Sequence, residues 1–165
     1  MGTTGRRASL AASLALLTAL GSGGAAEARA QETGAPGDGY EAATRGTRWL
    51  EGEGGFSIKL LLEPSNLGGT EMEMGEITFP PGSGMRGGDH RHGSVEIFYI
   101  LEGELDHIVN GVSHRLTPGM VGVVRPGDVV VHRVEGPRAV RALVIWAPGG
   151  EAARIARFFE SRPVE

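Results

Sequence analysis

The chain has no cysteine among its 165 residues. A disulfide framework is therefore excluded, and so is a thiolate metal set, which leaves any ion the chain holds without the ligand that biases the choice toward thiophilic metals. It has no clustered basic stripe, and its formal net charge of −4 is the wrong sign for nucleic acid or an anionic membrane surface. Neither is expected as a partner. Its apolar run Ala8 to Leu20 covers thirteen residues, short of the ~20 needed to span the hydrocarbon core of a bilayer. It has no internal repeat, so one domain is expected. What is present is ordinary for a globular chain, with 40% apolar and 22% charged residues.

The N-terminus reads as an address. Arg6-Arg7 give a basic start, Ala8 to Leu20 an uncharged apolar run, and Gly21-Ser22-Gly23-Gly24 a break. Small-x-small sites follow at Ala26-Glu27-Ala28 and Ala28-Arg29-Ala30. Residues 1–30 are thus expected to be a cleavable signal peptide, with export to the periplasm or medium and no membrane attachment after cleavage. The Arg pair hints at twin-arginine export, although Ala8-Ser9-Leu10 replaces the usual x-Phe-Leu. Cleavage removes three arginines and one glutamate, moving the formal charge from −4 to −6. Residues 31–46, rich in Gly, Ala and Thr, are expected to be a flexible lead-in to a domain spanning 47–165.

Strand signals fill that domain. Trp49-Leu50 is a first anchoring contact, and Phe56 to Leu62 has β-branched and aromatic content at strand length, ended by Pro64-Ser65-Asn66. Thr70 to Phe79 alternates too imperfectly for its inner face to be assigned. Val95 to Leu101, Glu104 to Val109, Val112 to Leu116, Met120 to Val124, Val129 to Val134 and Arg138 to Ala147 complete the series. Asn110-Gly111 joins two of them as a tight hairpin. Val140, Ala142, Val144 and Trp146 share one face of the last strand. Glu151 to Ser161 has the 3.6-residue period of an amphipathic helix, with Ile155, Phe158 and Phe159 on one stripe expected to cover one end or face of the domain. Short, regularly punctuated strands with a single helix indicate an all-β fold closed as a small barrel.

The chemistry concentrates in His90-Arg91-His92-Gly93-Ser94-Val95-Glu96. Alternation sends His90, His92 and Glu96 to one side, where two imidazoles and a carboxylate converge as a nitrogen/oxygen ligand set for Fe, Mn, Ni, Cu or Zn. On its own, a His-x-His pair is more often a polar strand face. Phe98 and Ile100 share the parity of Glu96 and should line a cavity beneath it, while Tyr99 faces away. Leu105, His107 and Val109 point inward together, so His107 is a candidate catalytic or supporting group, although a hydrogen-bonded core His is the commoner meaning of such a residue. His114 should be exposed. His132 lies between Val130 and Val134 on its face, and by those neighbours alone reads as a satisfied core His.

The spacing Gly84-x5-His90-x-His92-x3-Glu96-x6-Gly103 resembles the first signature motif of the cupin family without insertion or deletion. Gly119-x6-Pro126-x-Asp128-x3-His132-x3-Gly136 resembles the second more loosely, with Asp128 where Gly is usual and no closing Asn. The resemblance runs from near Phe79 to Ala147. It implies a single cupin jelly-roll barrel with a short C-terminal helix, Glu151 to Ser161, and a divalent transition metal held by His90, His92, Glu96 and His132. One or two coordination positions would stay open. Mn, Fe or Ni suit such a site before Cu or Zn.

Three function classes are compatible with that set. A redox ion with an apolar pocket would serve dioxygenase chemistry on a small organic substrate. A Lewis-acidic ion with a proton-moving side chain would serve a lyase, decarboxylase or isomerase, for which His107 and Tyr99 are the visible candidates. A non-enzymatic cupin would hold a small ligand. Tyr99 facing away tilts the reading to oxidative chemistry. Residues 47–74 exceed a minimal barrel and are expected to extend a sheet edge or exchange with a second subunit, giving a homodimer.

Overall fold

The computed structural model describes residues 45–84 and 88–165. The signal segment 1–30, most of the lead-in and Gly87 lie outside the described residues. Ten strands occur among those that are described: β1 Arg48–Glu51, β2 Ser57–Leu62, β3 Glu73–Phe79, β4 Val95–Glu102, β5 Leu105–Val109, β6 Val112–Leu116, β7 Val121–Val124, β8 Val130–Arg133, β9 Val140–Ala147 and β10 Glu160–Pro163. A single turn, α1 Pro64–Leu67, follows β2, and α2 Glu151–Ile155 follows β9.

The strands form a seven-stranded sheet in the order β10-β1-β2-β3-β9-β4-β7 and a three-stranded sheet in the order β6-β5-β8. Every pairing is antiparallel. The two sheets make a jelly-roll sandwich, with the short C-terminal helix beside it. Phe98 and Ile100 of β4 join Leu105 and Leu116 of the small sheet in one buried cluster that also takes in Leu50, Leu60 and Val144. Burial of each such side chain is worth roughly 1.5–3 kcal/mol.

Local chemistry accounts for most of these elements. Asn110 and Gly111 adopt φ of 51° and 80°, the doubly positive pair that a two-residue hairpin needs to match strand twist. β3 resolves the face that alternation left open: Glu73, Gly75, Ile77 and Phe79 point inward. Gly75 belongs there because a Cβ would come within 2.9 Å of Ile58 Cγ2. Glu73 belongs there because its carboxylate accepts the Ala152 backbone N–H at 2.8 Å, which holds the first turn of α2.

Two segments depart from the sequence reading. The helix expected over 151–161 runs only to Ile155, continues as a 3-10 turn over Ala156–Phe158 and becomes β10. An open edge of β1 captures the chain there: Leu50 pairs with Ser161, Arg162 meets Glu51 at 2.9 Å, and its guanidinium lies over the Trp49 ring at 5.2 Å. The helical period in 156–161 is real but tertiary pairing overrides it. Residues 47–74 extend the large sheet within the same chain, since β1 and β2 add onto β3.

Candidate metal centre

His90 and His92 sit on an extended segment tied to the start of β8. His90 and Val130 exchange both backbone hydrogen bonds, at 3.0 and 2.9 Å, and Gly127 N–H donates to the His92 carbonyl at 3.0 Å. After a bend at Gly93-Ser94 the chain enters β4, which buries Glu96, Phe98 and Ile100 on the inner face and leaves Tyr99 42% exposed on the outer. Strand parity therefore delivers both imidazoles and the carboxylate to the same side. His132 arrives from β8 and His107 from β5, cross-strand neighbours whose rings stack at 5.2 Å and 15°. His114 is exposed.

Two glycines make room for these rings. A Cβ on Gly84, which has φ of 74°, would lie 2.1 Å from the His132 carbonyl oxygen. Only glycine allows that loop to cross so close to β8. A Cβ on Gly122 of β7 would lie 2.5 Å from His107 Nδ1. A residue in an otherwise valine-rich strand is thus explained by the histidine opposite.

The donor atoms gather around Glu96. His90, His92 and Glu96 each bring one within 4.8 Å of the other two, and so do Glu96, His107 and His132. Glu96 is common to both groups, and the His90 and His132 rings, one from each, are 5.2 Å apart, so the four expected donors gather in one place. Glu96 Oε2 accepts the Trp146 indole N–H at 2.9 Å, and Oε1 lies 3.4 Å from His132 Nε2. His92 Nε2 approaches Glu96 Oε2 at 2.9 Å, at an angle too poor for a hydrogen bond.

That misalignment is general here. His92 Nε2, Glu96 Oε1, His107 Nε2 and His132 Nε2 are all buried without a hydrogen-bond partner among the described residues. Each such orphan costs about 1–3 kcal/mol, so three imidazole nitrogens around one carboxylate that has an orphaned oxygen of its own are not a resting arrangement for a polar cluster. A cation satisfies lone pairs of this kind together, and a donor set of imidazole and carboxylate suits a divalent transition metal. The cluster is thus compatible with a metal ion on the chemistry of its own donors.

Electrostatics agree with the geometry. Burial alone would raise the Glu96 pKa, yet His132 and His92 outweigh it and hold the carboxyl well below its usual range, ionised at any ordinary pH. Burial pulls His92 down, but the Glu96 and Glu151 carboxylates more than reverse it and its pKa rises. His90 is lowered, chiefly by burial; its Nδ1 is 2.8 Å from the Gly88 carbonyl, so that nitrogen donates and Nε2 is left bare. Burial, with repulsion from His132, brings His107 down to about 4 and keeps it neutral.

A cavity of about 580 Å³ opens beside the cluster, bounded by His90, His92, Glu96 and His132 at one end. Its walls are apolar, with Phe56, Phe79, Phe98 and Phe159 contributing aromatic surface. His107 is not among the lining residues; it stands behind His132, beneath Phe98. Three contributors escaped the sequence reading: Trp146, which orients Glu96, and Glu151 and Arg154 of α2, which reach His92. Inward parity marked Trp146 as a core residue, not as a donor. For Glu151 and Arg154 no local signal existed, because their position depends on where the helix docks.

Residues 75–146 match the family model described as a cupin domain. No curated protein matches the chain. Among solved structures it is similar to a predicted oxalate decarboxylase from Thermotoga maritima, at 26% identity and a TM-score of 0.52 over 58% of this chain and 82% of that one. It is also similar to an RmlC-like cupin from Shewanella frigidimarina, at 25% identity and 0.52 over 65% and 88%. A Cupin 2 conserved barrel domain protein from Salinispora arenicola, at 18% identity and 0.52 over 66% and 88%, shares the fold.

Proposed function

Residues 75–146 of the chain form a cupin domain, and from that premise we propose that the protein is an exported metal-dependent enzyme acting on a small organic substrate, with dioxygenase-type oxidation as its reaction class. The observation that carries this reading is the set of three buried, unpartnered donor atoms, His92 Nε2, Glu96 Oε1 and His132 Nε2, at the end of an apolar cavity that His90 also lines. His90, His92, Glu96 and His132 hold the ion in this reading. A bound Mn, Fe or Ni would supply a redox-capable, Lewis-acidic centre with positions left for ligands.

The chain's own residues do the remaining work. Trp146 N–H holds the Glu96 carboxylate that both donor groups share. The phenylalanine walls exclude water and lower the local dielectric around whatever the cavity holds. A cavity of that size accommodates a small organic molecule, within the range typical of ligand pockets at roughly 300–1,000 Å³. Two side chains that would have served proton transfer stand elsewhere: Tyr99 is on the outer face and His107 is off the cavity wall. Their positions support oxidative chemistry over a proton-moving mechanism.

A lyase or decarboxylase is the second reading. Asp89 lines the cavity beside His90 and offers an acid or base, and the similar chain from Thermotoga maritima is described as a predicted oxalate decarboxylase. Elemental analysis of the purified protein, followed by O₂ uptake with phenolic and small carboxylic substrates, tests the proposal. Bound Mn, Fe or Ni with O₂ consumption is expected. Metal with CO₂ release and no O₂ uptake assigns the lyase, and absence of metal leaves a small-ligand-binding cupin.

The proposal includes export through residues 1–30, which N-terminal sequencing of the protein from the medium or periplasm checks; an N-terminus near Gln31 is expected. It also includes the homodimer expected from residues 47–74. A monomeric mass by light scattering would refute that part alone.

A further inference from the structure

The His92 ring is contested by two residues of α2. Its Nδ1 lies 3.2 Å from Glu151 Oε2 and 3.2 Å from Arg154 Nη2. A carboxylate only accepts and a guanidinium only donates, so one nitrogen cannot satisfy both. If Nδ1 carries the hydrogen it donates to Glu151, and Nε2 turns a bare lone pair toward Glu96. If Nδ1 is bare it accepts from Arg154, and the hydrogen sits on Nε2, 2.9 Å from Glu96 Oε2.

We propose that Glu151 and Arg154 are opposed positioning residues for His92: Glu151 selects the tautomer whose Nε2 can bind a cation, and Arg154 selects the tautomer whose Nε2 cannot. This rests on the reading that His92 Nε2 is a metal donor. The competition has a direction built into it. In the neutral ring without a cation, a bare Nε2 would face the Glu96 carboxylate lone pair against lone pair, so the Arg154 arrangement is favoured. With a cation between them that repulsion becomes shared coordination, and the Glu151 arrangement is favoured.

Glu151 is built for the task. It is buried at 4% exposure, its Oε1 accepts the Gly93 N–H at 2.7 Å, and its Oε2 accepts Arg154 Nε at 2.6 Å. The same carboxylate therefore grips the backbone next to His92 and the ring itself. Its hold on Gly93 fixes where His92 stands, and its hold on Nδ1 fixes which nitrogen faces the cluster. Glu73, through the Ala152 N–H, anchors the helix that carries both residues without touching the ring.

The test compares Glu151→Gln, Arg154→Gln and Glu73→Gln with the unaltered protein after chelator treatment. Zn²⁺ affinity is measured by competition, and the His92 tautomer of the metal-free protein is read by long-range ¹H–¹⁵N correlation near pH 8. Glu151→Gln is expected to lock His92 as the Nε2–H form and weaken Zn²⁺ binding about 10–100-fold, the usual cost of losing a partner behind a ligand. Arg154→Gln should shift the ring to Nδ1–H and leave Zn²⁺ binding equal or tighter. Glu73→Gln should leave the tautomer unchanged. If Glu151 and Arg154 form only a structural ion pair, both substitutions weaken binding alike with no change of tautomer, and the proposal falls. If the unaltered protein binds no Zn²⁺, the metal reading falls with it.

Discussion

Two buried carboxylates flank the same tryptophan and do opposite things. Trp146 of β9 pairs in register with Glu73 on β3 and with Glu96 on β4, and both glutamates are 1% exposed. Glu73 turns its carboxylate to the backbone of α2, where a helix terminus needs an acceptor. Glu96 takes the indole N–H on one oxygen and leaves the other buried and unpartnered among imidazoles. The environment of the lone pairs, not burial, separates a structural carboxylate from one poised for a ligand. An acid that is fully bonded reports on the fold, whereas one left with an orphan oxygen reports on what the fold is for.

The sharpest way to break that contrast is to remove a donor on the Glu96 side. His92→Ala should abolish metal retention by elemental analysis and lower the melting temperature, because an ion at a thousandfold excess over its Kd stabilises the native state by about 4 kcal/mol; unchanged metal content would remove His92 from the site. Glu96→Gln should likewise lose the ion, yet leave the metal-free protein as stable as before or more so, since an amide oxygen can still accept from Trp146 and a buried charge has gone. A loss of metal-free stability comparable to a core deletion would make Glu96 structural like Glu73.

Acid should expose the same side next, in the metal-free protein. His107 is held at about 4 in the fold, against about 6.5 for a free imidazole. Between those values the unfolded chain binds a proton that the native state does not, so stability falls as pH drops from about 6.5 toward 4. The full excursion is worth about 3 kcal/mol. A urea titration series across that window reads it, and His107→Gln should flatten the slope. The smallest effect is expected on the Glu73 side: Glu73→Gln should cost about 1 kcal/mol through the weakened helix start, with metal content untouched. Loss of metal there would show that α2 docking and ligation are one event.

Parity made much of the site legible. A residue's side of a strand is a local property, so His90, His92, Glu96, Phe98 and Ile100 could be placed together, and Tyr99 apart from them, by counting alone. The Asn110-Gly111 hairpin was equally local, since it needs only two residues that tolerate positive φ. The face of β3 was not legible, because Glu73 and Gly75 point inward for reasons that reside in α2 and in Ile58. Nor was the end of α2, where the edge of β1 competes with the helical period.

The amino-acid order by itself determined an all-β chain with one donor-rich strand entry, no thiolate ligand and an apolar run beneath the imidazoles. Folding alone decided which acid was spoken for, which ring nitrogen faced Glu151, and why Gly84 and Gly122 had to lack a side chain. Those outcomes depend on distances between segments 15 to 79 residues apart, and a hydrogen bond or a steric clash exists only once the two ends meet.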